Sequence, residues 1–426
     1  MQYYQEQPRK IPIKYEVDVL VLGGGPGGFA AAVNAARQGA KTMLIEQSGN
    51  VGGVATTGLM SHWTSHTEGG FYEEILERGA DSECRQVINP EKLKNLFLNM
   101  LAEEGVILQL YSFASEPIIE DNTVKGVIVE SKSGREAILA SVVIDATGDG
   151  DIAARAGVPY EKGRTEDGGM QPMTLMFKVG GVDLERALLV WSFESTTMLP
   201  EGDLQKLAKK HLPFPAGHVL LYPTSLPGVV TCNMTNCIDV DGTKVEDLTR
   251  AEYECRSQIE PIIDFLRDFI PGYESCYLLT TASIIGVRET RRLEGGYTLT
   301  EEDILSATVF PDWVVTRAYF KQFDVHNVEG PGLDQSGIQT EFPQKKGYTI
   351  PYRCFVPNEI DNLFFVGRNI SGTHLAHSNY RVMPIVLNMG LAVGIAAALC
   401  AELKVSPRAL DPKLVQDRLV ELGVTP

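Results

Sequence analysis

The residues that point most directly to chemistry are Gly23, Gly25 and Gly28, which are followed by Glu46. Their G-x-G-x-x-G spacing is typical of a dinucleotide-binding turn, in which the first glycine permits a tight bend, the second lets a pyrophosphate approach the backbone and the third lets helix and strand pack closely. Glu46 is placed to accept hydrogen bonds from ribose hydroxyls and to repel a 2′-phosphate. The contacts predicted in this unit are Gly23, Gly25, Pro26, Gly27, Gly28, Glu46 and Gln47.

The elements that position these residues follow from the surrounding pattern. Residues 17–22 form an almost wholly apolar run, as expected of a strand buried on both faces of a parallel sheet. Residues 29–38 are alanine-rich and predict a helix that ends at Gly39, and residues 41–46 predict the next strand. The helix start directs the positive end of its dipole at the pyrophosphate. Because FAD and NAD use the same unit, this pattern alone leaves the choice of dinucleotide open.

Four later segments resemble the FAD-binding segments of the fumarate reductase and glutathione reductase superfamily. Residues 51–58 resemble the glycine-rich segment that covers the flavin ribityl chain and pyrophosphate, and residues 146–151 resemble the A-T-G stretch that closes the FAD site. Residues 366–368 stand where a V-G-D motif usually presents an acid, here replaced by Arg368, so only the backbone contact is implied. Residues 380–390 resemble the helix start whose backbone N–H groups face the N1/C2=O edge of the flavin.

Together with residues 286–292 and 367–374, these segments resemble a broad family of FAD-dependent oxidoreductases over residues 17–403. Pro384 suits the first turn of a helix, and free N–H groups just before it would stabilise negative charge on reduced flavin. The resemblance implies FAD as the cofactor and leaves the substrate open. The further FAD contacts that it implies are Gly53, Val54, Ala55, Thr56, Ala146, Thr147, Gly148, Gly367, Arg368, Val382 and Met383.

The predicted fold class is α/β, with a Rossmann-type FAD-binding domain and an inserted α+β substrate domain. We assign residues 1–156 and 353–426 to the FAD-binding domain and residues 157–352 to the substrate domain. The segment 330–346 is rich in glycine, proline and polar residues and predicts a surface loop or a lid. Since only one dinucleotide fingerprint is present, a separate NAD(P)H domain is not predicted, and the electron donor or acceptor stays unassigned.

Flavin chemistry requires a base that takes up a proton as hydride leaves, and cations that hold the substrate. His374 lies in the segment that leads to the flavin-facing helix, and we predict it to be the general base, the alternative being a structural histidine. Arg288 and Arg381 are predicted to bind a carboxylate or to polarise a carbonyl. His377 and Tyr380 are second choices as catalytic groups, and salt bridges at the surface are the alternative for Arg291 and Arg292.

Two histidines raise the question of how the flavin is attached. Some relatives of fumarate reductase attach flavin covalently to a histidine soon after the glycine-rich segment, where this chain has His62 and His66. The spacing is not matched closely, so noncovalent FAD is the prediction. Trp63 between them is expected to be a packed aromatic residue, with stacking on a substrate as the alternative.

Composition excludes several other classes of function. With 38 basic and 55 acidic residues the formal charge is −17, which repels nucleic acid and anionic lipid. The apolar stretch 385–401 contains Asn388 and two glycines and predicts a buried helix rather than a membrane span. The seven cysteines form no C-x-x-C pair, which favours a cytoplasmic protein with reduced thiols. No cluster of cysteines and histidines has the spacing of a zinc site, so no metal is predicted. A homodimer is expected only because such assemblies are common.

The sequence thus favours an FAD-dependent oxidoreductase that transfers hydride at flavin N5 to or from a small polar organic substrate. The resemblance to the family implies a carbohydrate-related substrate as one such class. Two alternatives remain open. One is a monooxygenase or halogenase that uses a flavin hydroperoxide, and the other is a flavin-binding protein with a non-catalytic role.

Overall fold

The computed structural model describes residues 2–65, 67–81, 84–193, 197–334 and 346–426. The elements up to residue 145 are β1 (Ile13–Leu22), α1 (Pro26–Arg37), β2 (Thr42–Ile45), α2 (Gly70–Gly79), α3 (Pro90–Glu103), β3 (Ile107–Gln109), β4 (Phe113–Glu120), β5 (Thr123–Ser131) and β6 (Gly134–Asp145). The next elements are α4 (Asp151–Arg155), β7 (Tyr160–Lys162), β8 (Phe177–Gly180), β9 (Met198–Leu199), β10 (Gly202–Asp203), α5 (Leu204–His211), β11 (Leu221–Pro223), β12 (Val230–Cys232), α6 (Val245–Phe269) and β13 (Tyr277–Thr281). The last elements are β14 (Arg291–Leu293), α7 (Glu301–Leu305), β15 (Trp313–Ala318), β16 (Tyr348–Pro351), β17 (Leu363–Phe365), α8 (His374–Tyr380), α9 (Met383–Leu403) and α10 (Pro412–Glu421).

A largely parallel sheet organises the first unit. Its order is β3-β2-β1-β6 with parallel neighbours, and β17 joins β6 in parallel from the far end of the chain. The first half of β6 also pairs with the antiparallel ribbon of β5 and β4. The sequence pattern predicts separate strands at 137–140 and 142–147. This prediction is wrong, because β1 pairs beside both stretches and they form one strand, β6, which ends at Asp145. The predicted α/β class is confirmed by this sheet and its covering helices.

Small residues bring α1 and α9 into direct contact. A Cβ at Gly390 would overlap the carbonyl oxygen of Gly27 and lie 2.5 Å from the Ala30 Cβ. A Cβ at Gly394 would lie 2.5 Å from the carbonyl oxygen of Ala31. Because the atoms that would be met are mostly backbone, they cannot move aside at low cost. Glycine at these positions therefore fixes how closely the two helices approach.

We expect Gly390→Ala to destabilise the protein by roughly 2–3 kcal/mol, since the added methyl forces α1 and α9 apart. Gly79→Ala in α2 is the matched control, because its Cβ would meet only Leu93 and Leu96 side-chain atoms at the ordinary distance of 3.5 Å. Urea unfolding of both variants checks the prediction. Equal midpoints for the two variants would show that the helix contact tolerates a methyl group.

Helix α9 is strongly apolar over its whole length. By length and composition it is the one described helix that could cross a membrane, but its whole apolar window is buried inside the protein. The predicted buried helix at 385–401 is thus present with slightly wider bounds, and it packs against α1, α2 and α10.

A second unit forms around the antiparallel sheet β11-β12-β8-β13. Helix α6 contributes Ile259, Ile262 and Leu266 to its apolar core. The sequence pattern predicts a long strand at 218–235, but this stretch is instead the short hairpin of β11 and β12, because the turn between them contains Pro227 and Gly228. The pattern also predicts a helix at 247–266, which is confirmed by α6 and extends by a few residues at each end.

Near the predicted domain boundary at residue 352, the buried side chains do not group as the prediction divides the chain. The core of the second unit includes residues from Met173 to Ala282, together with Leu59. Leu293, Phe310 and Tyr348 instead pack in the core of the first unit. The division at residues 157 and 352 stays a prediction, and the lid or loop predicted at 330–346 falls mainly outside the described residues.

Candidate active site

Segments that are distant in the sequence meet at the glycine turn. A Cβ at Gly23, whose φ is +100°, would lie 2.5 Å from the Ala146 carbonyl oxygen. On the other side, a Cβ at Gly53 would lie 3.2 Å from the Gly25 Cα. The structure thus brings residues 51–56 and 146–148 against the turn at 23–28.

The two C-terminal segments reach the same place. A Cβ at Gly27 would lie 3.1 Å from Cγ1 of Val386 and 3.5 Å from Cγ2 of Val366. Val366 follows β17, and Val386 lies in the first turn of α9. All four segments that resemble flavin-binding motifs therefore surround the start of α1.

The glycines of the turn have different structural duties. Gly28 must be glycine because a Cβ would overlap the Gly23 carbonyl oxygen. Gly25 is the N-cap residue of α1, with ordinary dihedrals of −63° and 179°, and no described atom lies within 4 Å of the place where its Cβ would be. Pro26 occupies the first position of the helix, where its missing N–H costs nothing. The space beside Gly25 is a cradle that a side chain would fill and a pyrophosphate fits.

Glu46 lies at the end of β2 beside this turn. Its Oε2 accepts a hydrogen bond from the Gly24 N–H at 2.6 Å, and its Oε1 accepts one from the Ser48 N–H at 2.7 Å. Each carboxylate oxygen keeps a lone pair for a further donor. The carboxylate is therefore fixed in place and able to accept bonds from ribose hydroxyls, whereas the neighbouring Gln47 is exposed.

The segment Gly53–Ala55 is one turn of 3-10 helix. Its shape depends on positive φ angles at Gly52 and Gly53. The hydroxyl of Thr56 donates to the Val51 carbonyl oxygen at 2.8 Å, and the Val54 carbonyl oxygen accepts from the Met60 N–H at 3.0 Å. Thr56 thus holds the segment together with its side chain, and Gly53 supplies the surface that faces Gly25.

Asp145, at the end of β6, organises the A-T-G segment. Its carboxylate accepts four hydrogen bonds, from the N–H and hydroxyl of Thr147 and from the N–H groups of Ile152 and Ala153. Burial raises the pKa of this carboxyl, while the four donors favour its ionised form. Asp145 was not among the predicted site residues, although an acid that ends a buried strand was a visible signal.

Arg368 has a structural partner that the sequence did not indicate. Its Nη2 forms a 2.9 Å ion pair with Asp149, and the guanidinium lies against Gly148, where a Cβ would be 2.8 Å away. Gly367 before it has a φ of +117°, which a side chain would disfavour. The side chain of Arg368 thus closes the 146–149 turn, and the backbone contact of this residue with FAD stays a prediction.

The start of α9 presents free backbone donors. Val382 is the N-cap residue, and Met383 and Pro384 begin the helix. Within the described chain, the N–H groups of Val382 and Met383 donate no hydrogen bond. Together with the positive end of the helix dipole they form a place where negative charge is stabilised.

His374 is held by a buried carboxylate. Its Nδ1 lies 2.8 Å from Oε1 of Glu289, while its Nε2 is buried without a hydrogen-bond partner in the described residues. Glu289 is fully buried and is also bound by Arg292 and by the Gln171 N–H. The alternative of a surface salt bridge is therefore wrong for Arg292, which is only 4% exposed at its side chain and holds Glu289 in place.

The two second-choice groups have different environments. His377 is completely buried, and neither ring nitrogen has a hydrogen-bond partner among the described residues. Burial, followed by the charges of Arg381 and Arg292, keeps its pKa well below the ordinary value. Tyr380 donates to the Ile370 carbonyl oxygen at 3.1 Å and is fully buried, so it has a structural role.

Gln171 links Glu289 to a second charged group. Its side-chain oxygen accepts from Arg381 Nη2 at 3.3 Å and from the His326 N–H at 3.2 Å. Arg381 pairs with Asp324 at 3.4 Å, and His326 lies 3.5 Å from the same carboxylate. Burial lowers the pKa of His326 to about 4, and it also lowers the pKa of Arg381.

Arg288 lies beside this group and is buried. Its Nη1 donates to the Pro172 carbonyl oxygen at 2.7 Å, and its Nη2 contacts Oδ1 of Asn233 at 3.5 Å. Burial, and then the charge of Arg381, lowers the pKa of Arg288 to about 10. The structure thus places the three predicted catalytic groups, His374, Arg381 and Arg288, around one network.

Residues 18–419 match the family described as FAD dependent oxidoreductase. The chain belongs to this family. The match confirms the predicted cofactor, FAD, and the predicted class, an oxidoreductase enzyme.

The similarity to individual FAD-dependent proteins is partial. The chain is 30% identical to a digeranylgeranylglycerophospholipid reductase of Methanocella arvoryzae over 157 residues, which are 32% of this chain and 40% of that protein. It is 29% identical to the mitochondrial dihydrolipoyl dehydrogenase of Caenorhabditis elegans over 33% of this chain and 31% of that enzyme. The chain therefore spans less than half the length of these curated relatives.

Two solved structures share the fold over nearly the whole chain. One is a geranylgeranyl bacteriochlorophyll reductase-like protein of Thermoplasma acidophilum, with a TM-score of 0.50, 14% identity and coverage of 96% of this chain and 83% of that one. The other is a triple mutant of a flavin-dependent brominase, with a TM-score of 0.50, 12% identity and coverage of 95% and 84%. At such identities these likenesses describe the fold alone.

The residues of this chain fit FAD. The open space beside Gly25 suits the pyrophosphate, and Glu46 keeps acceptors for the ribose. The free N–H groups at Val382 and Met383 suit the pyrimidine edge of the flavin. His377, whose pKa is lowered by burial and by the charges of Arg381 and Arg292, has two buried ring nitrogens without a partner in the described residues. Such orphaned polar atoms indicate that a bound group supplies the missing partner.

His62, one of the two histidines considered as a flavin tether, contacts the second unit. Its ring meets Tyr222 at 4.6 Å and Trp191 at 5.2 Å, and its Nδ1 lies 3.2 Å from the Ser61 hydroxyl. His66 lies outside the described residues. Noncovalent FAD stays a prediction, and the packed-aromatic expectation for Trp63 agrees with its burial beside Tyr72.

We expect the stability of the protein to fall as the pH drops from 6.5 to 4. Burial lowers the pKa of His62 from 6.5 to about 4, so in that window the unfolded chain binds a proton that the folded protein does not. The loss from this residue reaches about 3 kcal/mol. His62→Gln should show a shallower decline of Tm with falling pH, measured by thermal unfolding at constant ionic strength. Parallel curves for the two proteins would contradict this account.

Proposed function

We propose that this chain is an FAD-dependent oxidoreductase that transfers hydride at flavin N5 to or from a small polar organic substrate, with His374 as the group that moves the accompanying proton. The observation that carries the proposal is the His374–Glu289 pair. Its Nδ1 is bound to the carboxylate, and its Nε2 is buried with no partner in the described chain. A base needs this arrangement, in which one nitrogen is oriented and the other is free.

The carboxylate decides which nitrogen of His374 takes up the proton. Because Glu289 accepts hydrogen bonds only, Nδ1 carries the hydrogen and Nε2 keeps the lone pair. When the substrate is oxidised, Nε2 accepts the proton from the reacting group, and Glu289 stabilises the resulting imidazolium. When the substrate is reduced, Nε2 returns that proton. Bound FAD supplies the hydride acceptor or donor.

Arg381 and Arg288 are proposed to orient the substrate. The Nη2 atom of Arg381 contacts Gln171 and Asp324, and its buried Nε has no partner in the described chain. A guanidinium that is held by neighbours and keeps one free donor can polarise a carbonyl oxygen. This placement supports a polar substrate between the two units, and a carbohydrate-related molecule is one such class.

The remaining partners are also proposals. Only one dinucleotide fingerprint is present, so no NAD(P)H-binding domain is predicted. The second electron donor or acceptor is therefore expected to be oxygen, a quinone or a protein carrier. The net charge of −17 argues against nucleic acid and anionic membranes as partners, because it repels both. All seven cysteines are free thiols, which supports a cytoplasmic location of the protein. A homodimer stays an expectation.

The test begins with the colour of the purified protein. It should be yellow, and acid precipitation should release intact FAD. An anaerobic panel of alcohols, amines, acids and sugars should then include a compound that reduces the flavin. Protein that stays colourless with added FAD would reject the proposal. NADPH consumption without substrate would favour a monooxygenase or halogenase, and flavin that resists dithionite would favour a non-catalytic role.

A further inference from the structure

The network around Gln171 holds more cations than carboxylates. It contains Arg288, Arg292 and Arg381, and the carboxylates Glu289 and Asp324. Glu289 is bound by Arg292, and Asp324 is paired with Arg381. Arg288 is therefore the cation without a carboxylate at ion-pair distance in the described part of the chain.

The contacts of Arg288 are too few for a buried guanidinium. This group has five N–H donors, of which one bonds the Pro172 carbonyl oxygen and another makes a long contact with Asn233. Only 7% of the residue is exposed, so water replaces few of the missing acceptors. Asp324 acts on Arg288 only from beyond ion-pair distance and is already paired with Arg381. The buried guanidinium therefore lacks a direct counter-ion, which is costly and indicates that an anion completes this place.

His218 supplies an acceptor beside the same asparagine. Its Nε2 lies 3.1 Å from the Asn233 carbonyl oxygen, which only accepts, so Nε2 carries the hydrogen. Its Nδ1 is then an acceptor, and it is buried without a partner in the described residues. Burial, followed by the charges of His326 and Arg288, lowers the pKa of His218 to about 3, which keeps the ring neutral at pH 7.

Aromatic rings enclose these groups. Phe193 meets His218 at a ring distance of 5.1 Å and His326 at 5.5 Å, both edge to face. The hydroxyl of Tyr222 lies 3.5 Å from Nδ2 of Asn233. The aromatic ring beside the acceptor and the burial of the cation keep water away and strengthen both interactions.

We propose that Arg288, Asn233 and His218 form a subsite for a hydroxycarboxylic acid, in which the carboxylate binds Arg288 and a hydroxyl donates to Nδ1 of His218. The inference rests on the proposed function only in making this molecule the substrate; binding itself does not require turnover. It narrows the small polar substrate to one that is anionic and hydroxylated.

The test compares three small probes on the holoenzyme: lactate, its neutral amide lactamide, and propionate, which lacks the hydroxyl. Binding is followed by the change in flavin absorbance and by the shift in Tm. Lactate should bind saturably, and lactamide should bind on the order of 10- to 100-fold more weakly because the charged hydrogen bond is lost. Propionate should fall between them.

Variants separate the two contacts. Arg288→Met should weaken lactate and propionate alike and leave lactamide unchanged, while His218→Phe should remove the advantage of lactate over propionate. Arg186→Met is the matched control, because this arginine is 59% exposed at its side chain and belongs to a surface ion pair. If Arg288→Met fails to fold, Arg288→Lys keeps the charge and should retain part of the preference for the acid over the amide.

The outcomes are distinct. Absence of lactate binding, equal binding of lactate and lactamide, or unchanged affinity in the Arg288 variant would overturn the subsite. Lactate that binds as expected, on a flavin that no hydroxy acid or other compound reduces, would support the subsite and reject the proposed function.

Discussion

Gly25→Val should yield a folded protein that does not retain FAD. The dihedrals of Gly25 are open to any residue, and no described atom lies within 4 Å of its Cβ position, so the fold accommodates the side chain. The isopropyl group would occupy the space through which the pyrophosphate reaches the N-terminus of α1. We expect the affinity for FAD to fall by at least about 100-fold, which corresponds to about 3 kcal/mol.

The measurement is the ratio of FAD to protein after desalting, with the dissociation constant obtained by titrating apoprotein. Thermal unfolding of the two apoproteins is the control and should give similar Tm values. Gly25→Ala should lie between wild type and the valine variant. Stoichiometric FAD in purified Gly25→Val would show that the pyrophosphate binds elsewhere.

His374→Gln should keep its FAD and lose flavin reduction by about 10²- to 10⁴-fold, the usual contribution of a positioned base. Glutamine fills a similar volume and can still bond Glu289, but it offers no nitrogen that takes up a proton at neutral pH. Stopped-flow reduction by a substrate from the anaerobic panel is the measurement.

Glu289→Gln separates orientation from chemistry. The amide no longer selects the tautomer that leaves Nε2 free, so the rate should also fall, and its pH profile should move. A normal rate in His374→Gln, with FAD bound, would assign the histidine a structural role and transfer the proton to another group, such as His377.

The sequence predicted the parts of the site that depend on local pattern. The strand, glycine turn, helix and second strand follow each other between Ile13 and Ile45, and each has a compositional signal. The helix start at Val382 was predicted by its resemblance to a flavin-facing helix, and Pro384 suits the first turn of that helix.

The partners across the site were missed because they lie far apart in the chain. Glu289 precedes His374 by 85 residues, and Gln171 is 155 residues from His326. Glu289 stands in the run 286–292 beside three arginines, and this local pattern does not indicate which distant side chain the carboxylate orients. Burial decides this pairing, and it is a property of the assembled fold rather than of any segment.

The convergence of distant segments on one turn has a consequence for biosynthesis. The strand and helix that are predicted to hold the pyrophosphate are made before β17 and the start of α9, which complete the cradle more than 300 residues later. We therefore expect FAD to bind with full affinity only after α9 has docked on α1. Bound FAD then stabilises this docking, because the free energy of binding adds to that of the folded state.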